Sequence, residues 1–276
     1  KRIFKAFDKK KYKNLIEILI SDNNSTDQTK KVVFFYIKKS LKNKNIIINY
    51  FKQKKNIGFL KNFSGLSKLA NGKYILYLND DDLPGIGFYV QLINLLKKNY
   101  SNSMLIAPIG NSNKYYKAFF GINKISYIVN RSSIHSGIIL NRKLIKYSSF
   151  EKTLYPQTEL FLDYYLKYGM KDLEIKSIIK NLDMNKDYKK YTADRMQRDY
   201  DFAMMGKIKI VEKFYKNYKI SFLELFYSVY SIYKWGLDLK MTLRNKKIFW
   251  LEKLFFKEII KYKRKKLLNF ILFIIF

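Results

Sequence analysis

Gly72-Lys73-Tyr74-Ile75-Leu76-Tyr77-Leu78-Asn79-Asp80-Asp81-Asp82-Leu83-Pro84 opens on a glycine turn, runs through an apolar and aromatic segment of strand length, and stops abruptly in three carboxylates and a proline. Tyr74 to Leu78 show little polar alternation, the pattern of a strand covered on both faces in a parallel α/β sheet. Open α/β sheets bind ligands at the carboxyl ends of their strands, where Asp80, Asp81 and Asp82 fall. Three adjacent carboxylates repel one another, so a cation among them relieves a real cost. The plainer alternative is a solvated acidic turn before a helix whose N-terminus favours negative charge.

Working outward, Leu15 to Ile20 reads as a buried strand, Ser21 to Asp27 as the loop after it, and Ser25 or Thr26 as the cap of a helix carrying Val32, Val33, Phe34 and Tyr36. Ile46 to Phe51 is the next strand, and Asn56-Ile57-Gly58-Phe59 a turn into a helix. After the acidic triplet a helix is expected from about Pro84 to Lys98, with proline in its first turn, then a strand over Met104 to Ile109. The recurring strand–helix order indicates βαβ units and a mainly parallel sheet. Asn111 to Asn130 reads as a loop or hairpin over the site. Ser136 to Leu140 reads as a strand, Arg142 to Tyr147 as a short helix, and the stretch from Tyr155-Pro156-Gln157 towards Gly169 as a loop leading into a helix. From about Tyr188 onward the pattern is helical, so a domain boundary is placed there, giving 1–187 and 188–276.

Among 276 residues, 55 are Lys or Arg and 22 are Asp or Glu, a formal charge of +33. That excess attracts phosphates and anionic lipid. Lys, Asn, Ile, Phe and Tyr share AT-rich codons, so a biased genome accounts for part of it. The excess is also spread, with about +12 in 195–276 and about +21 in the rest, which argues against a dedicated nucleic-acid groove. Cysteine is absent, which suits a reducing compartment, and His135 is the single histidine, so zinc clusters and multi-histidine sites are excluded. Any metal is then a hard cation held by oxygen, Mn²⁺ or Mg²⁺. Lys1 to Lys11 carry no apolar signal region, and no run reaches the roughly 18 apolar residues of a membrane span.

Four segments, in order and correctly spaced over roughly 1–165, resemble the motifs of family 2 glycosyltransferases. Glu17 to Asp27 resembles "EIIVVDDGSTD"; Asn56-Ile57-Gly58 with Lys61-Asn62 resembles "N-x-G…RN"; Ala70 to Ile75 resembles "A-x-GEYI"; Leu78 to Pro84 resembles "LDxDD…P". The resemblance implies a Rossmann-like GT-A sheet with a C-terminal helical region. It implies a nucleotide-sugar site using Asp22, Asn23, Asn24, Asn56, Gly58, Asn62 and Asp80, with Asn23 standing where the family often has a second Asp. It also implies a metal held by Asp80, Asp81 and Asp82. Two registers fit the metal motif, one ending on Asn79 and Asp81 and one on Asp80 and Asp82, leaving Asp81 or Asp82 as the direct ligand. The family begins with a buried strand ending in a "PTYN"-like loop, and the likeness here starts after it. On that comparison either the chain is a fragment or the fold is completed in another way.

The chemistry accounts for these residue types. A sugar nucleotide leaves as a diphosphate whose developing charge needs a cation or fixed donors, and an acceptor hydroxyl needs a carboxylate as general base. In inverting relatives the base lies near the helix that follows the Ser-Gly strand, which makes Glu159 the first candidate and Asp163, one turn on, the second. For either, a carboxylate pairing with lysine is the simpler reading. For His135, a hydrogen-bonded histidine before Ser136-Gly137 is favoured over contact with acceptor or phosphate.

The implied partners are a nucleotide-diphosphate sugar and a glycan or lipid-linked acceptor in bacterial surface polysaccharide or lipooligosaccharide synthesis; no nucleic acid is expected. Lys261 to Lys266 followed by Leu267 to Phe273 joins a basic cluster to an apolar end, which fits an anionic membrane surface. The expected location is cytoplasmic, at the inner face of the membrane. The competing class is a non-catalytic basic binding protein, for nucleic acid or membrane, on a degenerate transferase domain. A nucleotidyltransferase is disfavoured, since the Gly-rich first loop with Arg or Lys that it needs is not present.

Overall fold

Ile16, Ile18 and Ile20 alternate along β1 (Ile16–Asp22), and Ile46 and Ile48 along β2 (Ile46–Lys52). The two strands pair in parallel, Ile16 opposite Ile46 through Asp22 opposite Lys52. The crossover between them is α1 (Thr29–Asn43), as parallel pairing requires. The computed structural model describes residues 16–43, 46–79, 82–98, 102–109, 123–132, 135–145, 156–181, 206–217 and 219–243. Within it the chain divides into two compact units, Lys1–Lys190 and Tyr191–Phe276.

In the first unit α2 (Phe59–Lys68) follows β2, and β3 (Tyr74–Leu76) opens a four-stranded sheet in the order β3-β6-β5-β7. The other members are β5 (Met104–Ile106), β6 (Ile138–Asn141) and β7 (Met170–Asp172). Alternation along β5 and β6 sorts the core into two layers. Met104, Ile106, Ile138 and Leu140 pack with Ile128, Leu160, Phe161 and Tyr164, whereas Leu105, Ala107 and Ile139 pack with Phe88 and Leu92. The first layer is roofed by α4 (Lys124–Arg131) and α5 (Pro156–Tyr168), the second by α3 (Phe88–Leu96).

The α/β class holds; β1 and β2 form a sheet of their own, and the four-stranded sheet is mixed. β1–β2 and β5–β7 are parallel, while β6 runs antiparallel to both β3 and β5. Gly137 sets this entry: its φ is +86°, and a Cβ there would stand 3.0 Å from Ile179 Cδ1 and 3.3 Å from the Ala107 carbonyl oxygen.

Other boundaries differ from the sequence reading. Asp82–Pro84 is not the start of a helix but a short strand, β4, antiparallel to β8 (Ile179–Asn181). Its partner lies almost a hundred residues on, beyond the reach of any local pattern. The helix waits for Gly87, at φ 80°, and starts at Phe88. The expected loop of 111–130 ends in α4, which Asn123 caps by accepting the Ile125 N–H at 2.6 Å and whose Ile125, Ile128 and Val129 are buried at helical spacing; 110–122 lie outside the described residues. The short helix expected from Arg142 is a 3-10 turn over Arg142–Leu144. At α1 it is Asp27, not Ser25 or Thr26, that accepts the Thr29 N–H, at 2.9 Å.

The second unit is helical where it is described. Residues 206–216 form α6 and Phe222–Leu243 form α7. Ser221 and Glu224 make a reciprocal capping box, Glu224 Oε2 accepting the Ser221 N–H at 2.7 Å and Ser221 Oγ accepting the Glu224 N–H at 3.3 Å. Lys207 is fully buried, and Ile208, Val211 and Phe214 of the same helix are buried too; burial pushes the Lys207 ammonium down to about 7. Among the described residues no helix is long and apolar enough to cross a membrane. The basic and apolar stretch 261–273 lies outside them.

Candidate functional site

β1 delivers Asp22 to its carboxyl end, buried to 4% exposure, just after the apolar run Ile18-Leu19-Ile20 and Ser21. Its carboxylate is held from two sides. The Tyr50 hydroxyl, from β2, donates to Oδ2, and the Ser25 N–H donates to Oδ1 at 2.6 Å. Burial, the largest single influence, pushes the Asp22 carboxyl up. The bonds from Tyr50 and Ser25, with the Lys52 ammonium behind them, outweigh it and hold the group below the usual carboxylate range. The reciprocal effect pushes Tyr50 up to about 12, through burial first and then its bond to Asp22. Asp22 therefore stays charged and Tyr50 stays a donor throughout the neutral range.

The residues after Asp22 are stitched to the turn before α2. Asn23 Nδ2 donates to Asn56 Oδ1 at 2.8 Å, Asn23 Oδ1 accepts the Ile57 N–H at 2.9 Å, and Asn56 Oδ1 also accepts the Gly58 N–H at 2.9 Å. One turn into α2, Asn62 accepts from the Ser21 hydroxyl and donates to the Ser21 carbonyl at 3.2 Å. Gly58 caps α2 at φ 80°, a backbone that favours glycine. Asp22, Asn23, Asn56, Gly58 and Asn62 thus form one cluster. Its amides are spent on one another, so they shape the loop more than they offer free donors. Asn24 stands beside them, exposed and left-handed at φ 68°, a backbone that asparagine tolerates.

A second cluster gathers at the carboxyl end of β3. The Asn79 N–H donates to Ser136 Oγ at 2.7 Å, and the Arg131 guanidinium donates to the Ser136 carbonyl. The Ser132 and Thr158 hydroxyls meet between α4 and the first turn of α5. Gln157, Thr158 and Glu159 are all at 2% exposure or less, as are Arg131, Ser132 and Ser136. So polar a patch at the head of a helix is unlike a core. Neighbouring residues of α2 join the clusters, Asn62 reaching Ser21 while Phe63 packs edge-on against His135 at 5.5 Å and stacks on Tyr77 at 5.3 Å. Burial first, then the Arg131 charge, push the His135 imidazole down to about 4, so it is neutral at pH 7.

Of the acidic triplet, Asp82 is described: it begins β4 at 5% exposure. Asp80 and Asp81 lie outside the described residues, and among the described residues no three of His, Cys, Asp and Glu converge on a metal-holding point. Glu159 lies buried in the first turn of α5, whereas Asp163 pairs with Lys167 one turn on. Tyr50, Ser21, Arg131 and Thr158 were not singled out from the sequence. Tyr50 looks there like one more apolar strand residue, and no motif in the sequence marks Arg131.

Residues 2–154 match Glycosyl transferase family 2, more than half of the chain. The chain belongs to that family. Family 2 membership carries the GT-A α/β arrangement expected from the motifs. The first cluster lies wholly within the matched residues, and Glu159 and Asp163 follow five and nine residues beyond them. Among solved structures, S. aureus TarS 1–349 in complex with UDP is similar at 14% identity and TM-score 0.47, over 73% of this chain and 58% of that one. S. aureus TarS 1–349 alone is similar at 14% identity and TM-score 0.44, over 71% and 56%. The chain thus spans under two thirds of either structure's length. No curated protein matches it.

Proposed function

We propose that the chain transfers a sugar from a nucleotide-diphosphate donor to a hydroxyl acceptor, with inversion at the sugar carbon. One observation carries the reading: a buried, charged Asp22, clamped by Tyr50 and Ser25, opens on a loop braced by Asn23, Asn56 and Asn62. A carboxylate so held is an acceptor of fixed direction, suited to the hydroxyls of a ribose or the N–H edge of a base. Asn24 and Gly58 belong to the same pair of turns. The donor site is assigned to residues 1–187, with 188–276 as a helical region.

Glu159 is the general base. It takes the proton of the acceptor hydroxyl as the new C1–O bond forms and the C1–O bond to the diphosphate breaks, releasing the nucleoside diphosphate. Its burial at the head of α5, beside Thr158 and Ser132, keeps bulk water from competing. Asp163, tied to Lys167, is the weaker candidate. The donor chemistry of Asp80, Asp81 and Asp82, in a chain without cysteine and with one histidine, fits a hard cation, Mn²⁺ or Mg²⁺. Such an ion would neutralise charge on the leaving diphosphate. The acceptor is assigned as a glycan or lipid-linked saccharide of a bacterial surface polymer, handled at the inner face of the membrane.

Calorimetry with UDP and GDP, with and without Mn²⁺, tests the donor half. Binding should be lost in Asp22→Asn and should lose its metal dependence in Asp81→Ala or Asp82→Ala. Binding indifferent to all three substitutions sinks the reading. For the base, Glu159→Gln should retain nucleotide binding and lose turnover by about a hundredfold or more.

A further inference from the structure

α1 turns a second face outward. Val33, Tyr36, Ile37 and Ser40 recur at three- and four-residue intervals, and Val33 and Ser40 are buried. That is the spacing of a helix lying on a sheet, and Tyr36 duly packs against Ile46 of β2. The rest of the surface should then be polar. Instead Val32 is 51% exposed, Phe34 43%, Phe35 62% and Leu41 70%. Exposed Lys30, Lys31, Lys38 and Lys39 are interleaved with them. At 100° per residue, Phe34, Lys38 and Leu41 share one line and Lys31, Phe35 and Lys39 another. From Thr29 to Asn43 there is no acidic residue; Asp27, exposed at the helix start, is engaged with the Thr29 N–H.

We propose that this face of α1 seats the protein on an anionic lipid surface. Large apolar side chains in open solvent are costly, and phenylalanine and leucine regain that cost by entering the acyl boundary. Lysine suits the same place: its stem lies along apolar surface while its ammonium reaches an anionic headgroup. A second copy of the chain is a poor occupant, because the same four lysines would face each other. Nucleic acid would satisfy the lysines but gives no return for Val32, Phe35 and Leu41, which no base-stacking geometry uses together. The inference does not rest on the donor reading, since none of Val32, Phe35 and Leu41 belongs to the nucleotide cluster.

The absence of cysteine makes the test direct. Single-cysteine variants of the full chain, Phe35→Cys and Leu41→Cys, are labelled with an environment-sensitive nitrobenzoxadiazole, with exposed Lys97→Cys as the control. Each is mixed with vesicles of phosphatidylcholine alone, with vesicles of phosphatidylcholine and phosphatidylglycerol in equal parts, and with duplex DNA. Emission should rise severalfold at 35 and 41 on the anionic vesicles alone, and stay flat at 97. The unlabelled double variant Phe35→Ser with Leu41→Ser should bind those vesicles about tenfold more weakly in sedimentation, with unchanged circular dichroism. No vesicle binding, binding with flat emission at 35 and 41, or a rise on DNA instead would each overturn the proposal. Nucleotide calorimetry on the double variant keeps this result separate from the donor site.

Discussion

Asp22 shows how much a single side chain inherits from its neighbours. Its identity was legible because a carboxylate at the end of an apolar strand is conspicuous. Its state was not, because that depends on Tyr50, which lies opposite Ile20 only once β1 and β2 pair in register. Tyr50→Phe removes one donor to a buried charge. It should raise the Asp22 carboxyl and weaken nucleotide binding by about 1–2 kcal/mol, roughly tenfold, as titration calorimetry would show. His135 gives a second test at this scale. Its folded imidazole is lowered to about 4 against an ordinary 6.5. The unfolded chain therefore binds the extra proton first. Stability contributed by neutral His135 is intact above pH 6.5 and is lost as pH falls from 6.5 towards 4. Since no other histidine titrates there, the fall in urea midpoint between pH 6.5 and 5 should flatten in His135→Asn. An unchanged slope would refute it.

At the scale of elements, strands and helices with a strong local pattern were readable in advance. β1, β2 and α5 needed only their own apolar spacing, although α5 starts at Pro156, inside what reads from sequence as the preceding loop. β4 and β8 were not, because three residues of a strand carry no period and the pairing joins Asp82 to Asn181. Pro84 illustrates the competition: a proline suits a helix start, but here it sits in a short strand, a placement proline takes at sheet edges. Gly137 decides the entry of β6. Gly137→Ala meets both a left-handed backbone and the Ala107 carbonyl, so it should cost about 2–3 kcal/mol, read as a lower denaturant midpoint. Because Gly137 is bonded to Tyr77 and Ala107, the same change should loosen the turn that holds Ser136 against Asn79.

For the whole molecule, a formal charge of +33 was plain from composition, and its consequence is concentration of anions in general. Non-specific retention of duplex DNA should therefore fall steeply between low and physiological salt. Nucleotide affinity should fall less, and Asp22→Asn should abolish it at every salt; equal slopes for the two ligands would count against a defined donor site. Composition could not say where charge meets exposed apolar surface. That became visible on α1, once one face of the helix was spent on the sheet and the other was left outside.

Taken by itself, the sequence determined the α/β class, the family and the four residues that cluster with Asp22, because each is written in local spacing and in motifs a few residues long. The tertiary structure alone decided the mixed direction of the sheet, the Tyr50 clamp, the β4–β8 pairing and the outward face of α1. These depend on contacts between segments tens of residues apart, and pairing across such distances is fixed by how the whole core fills.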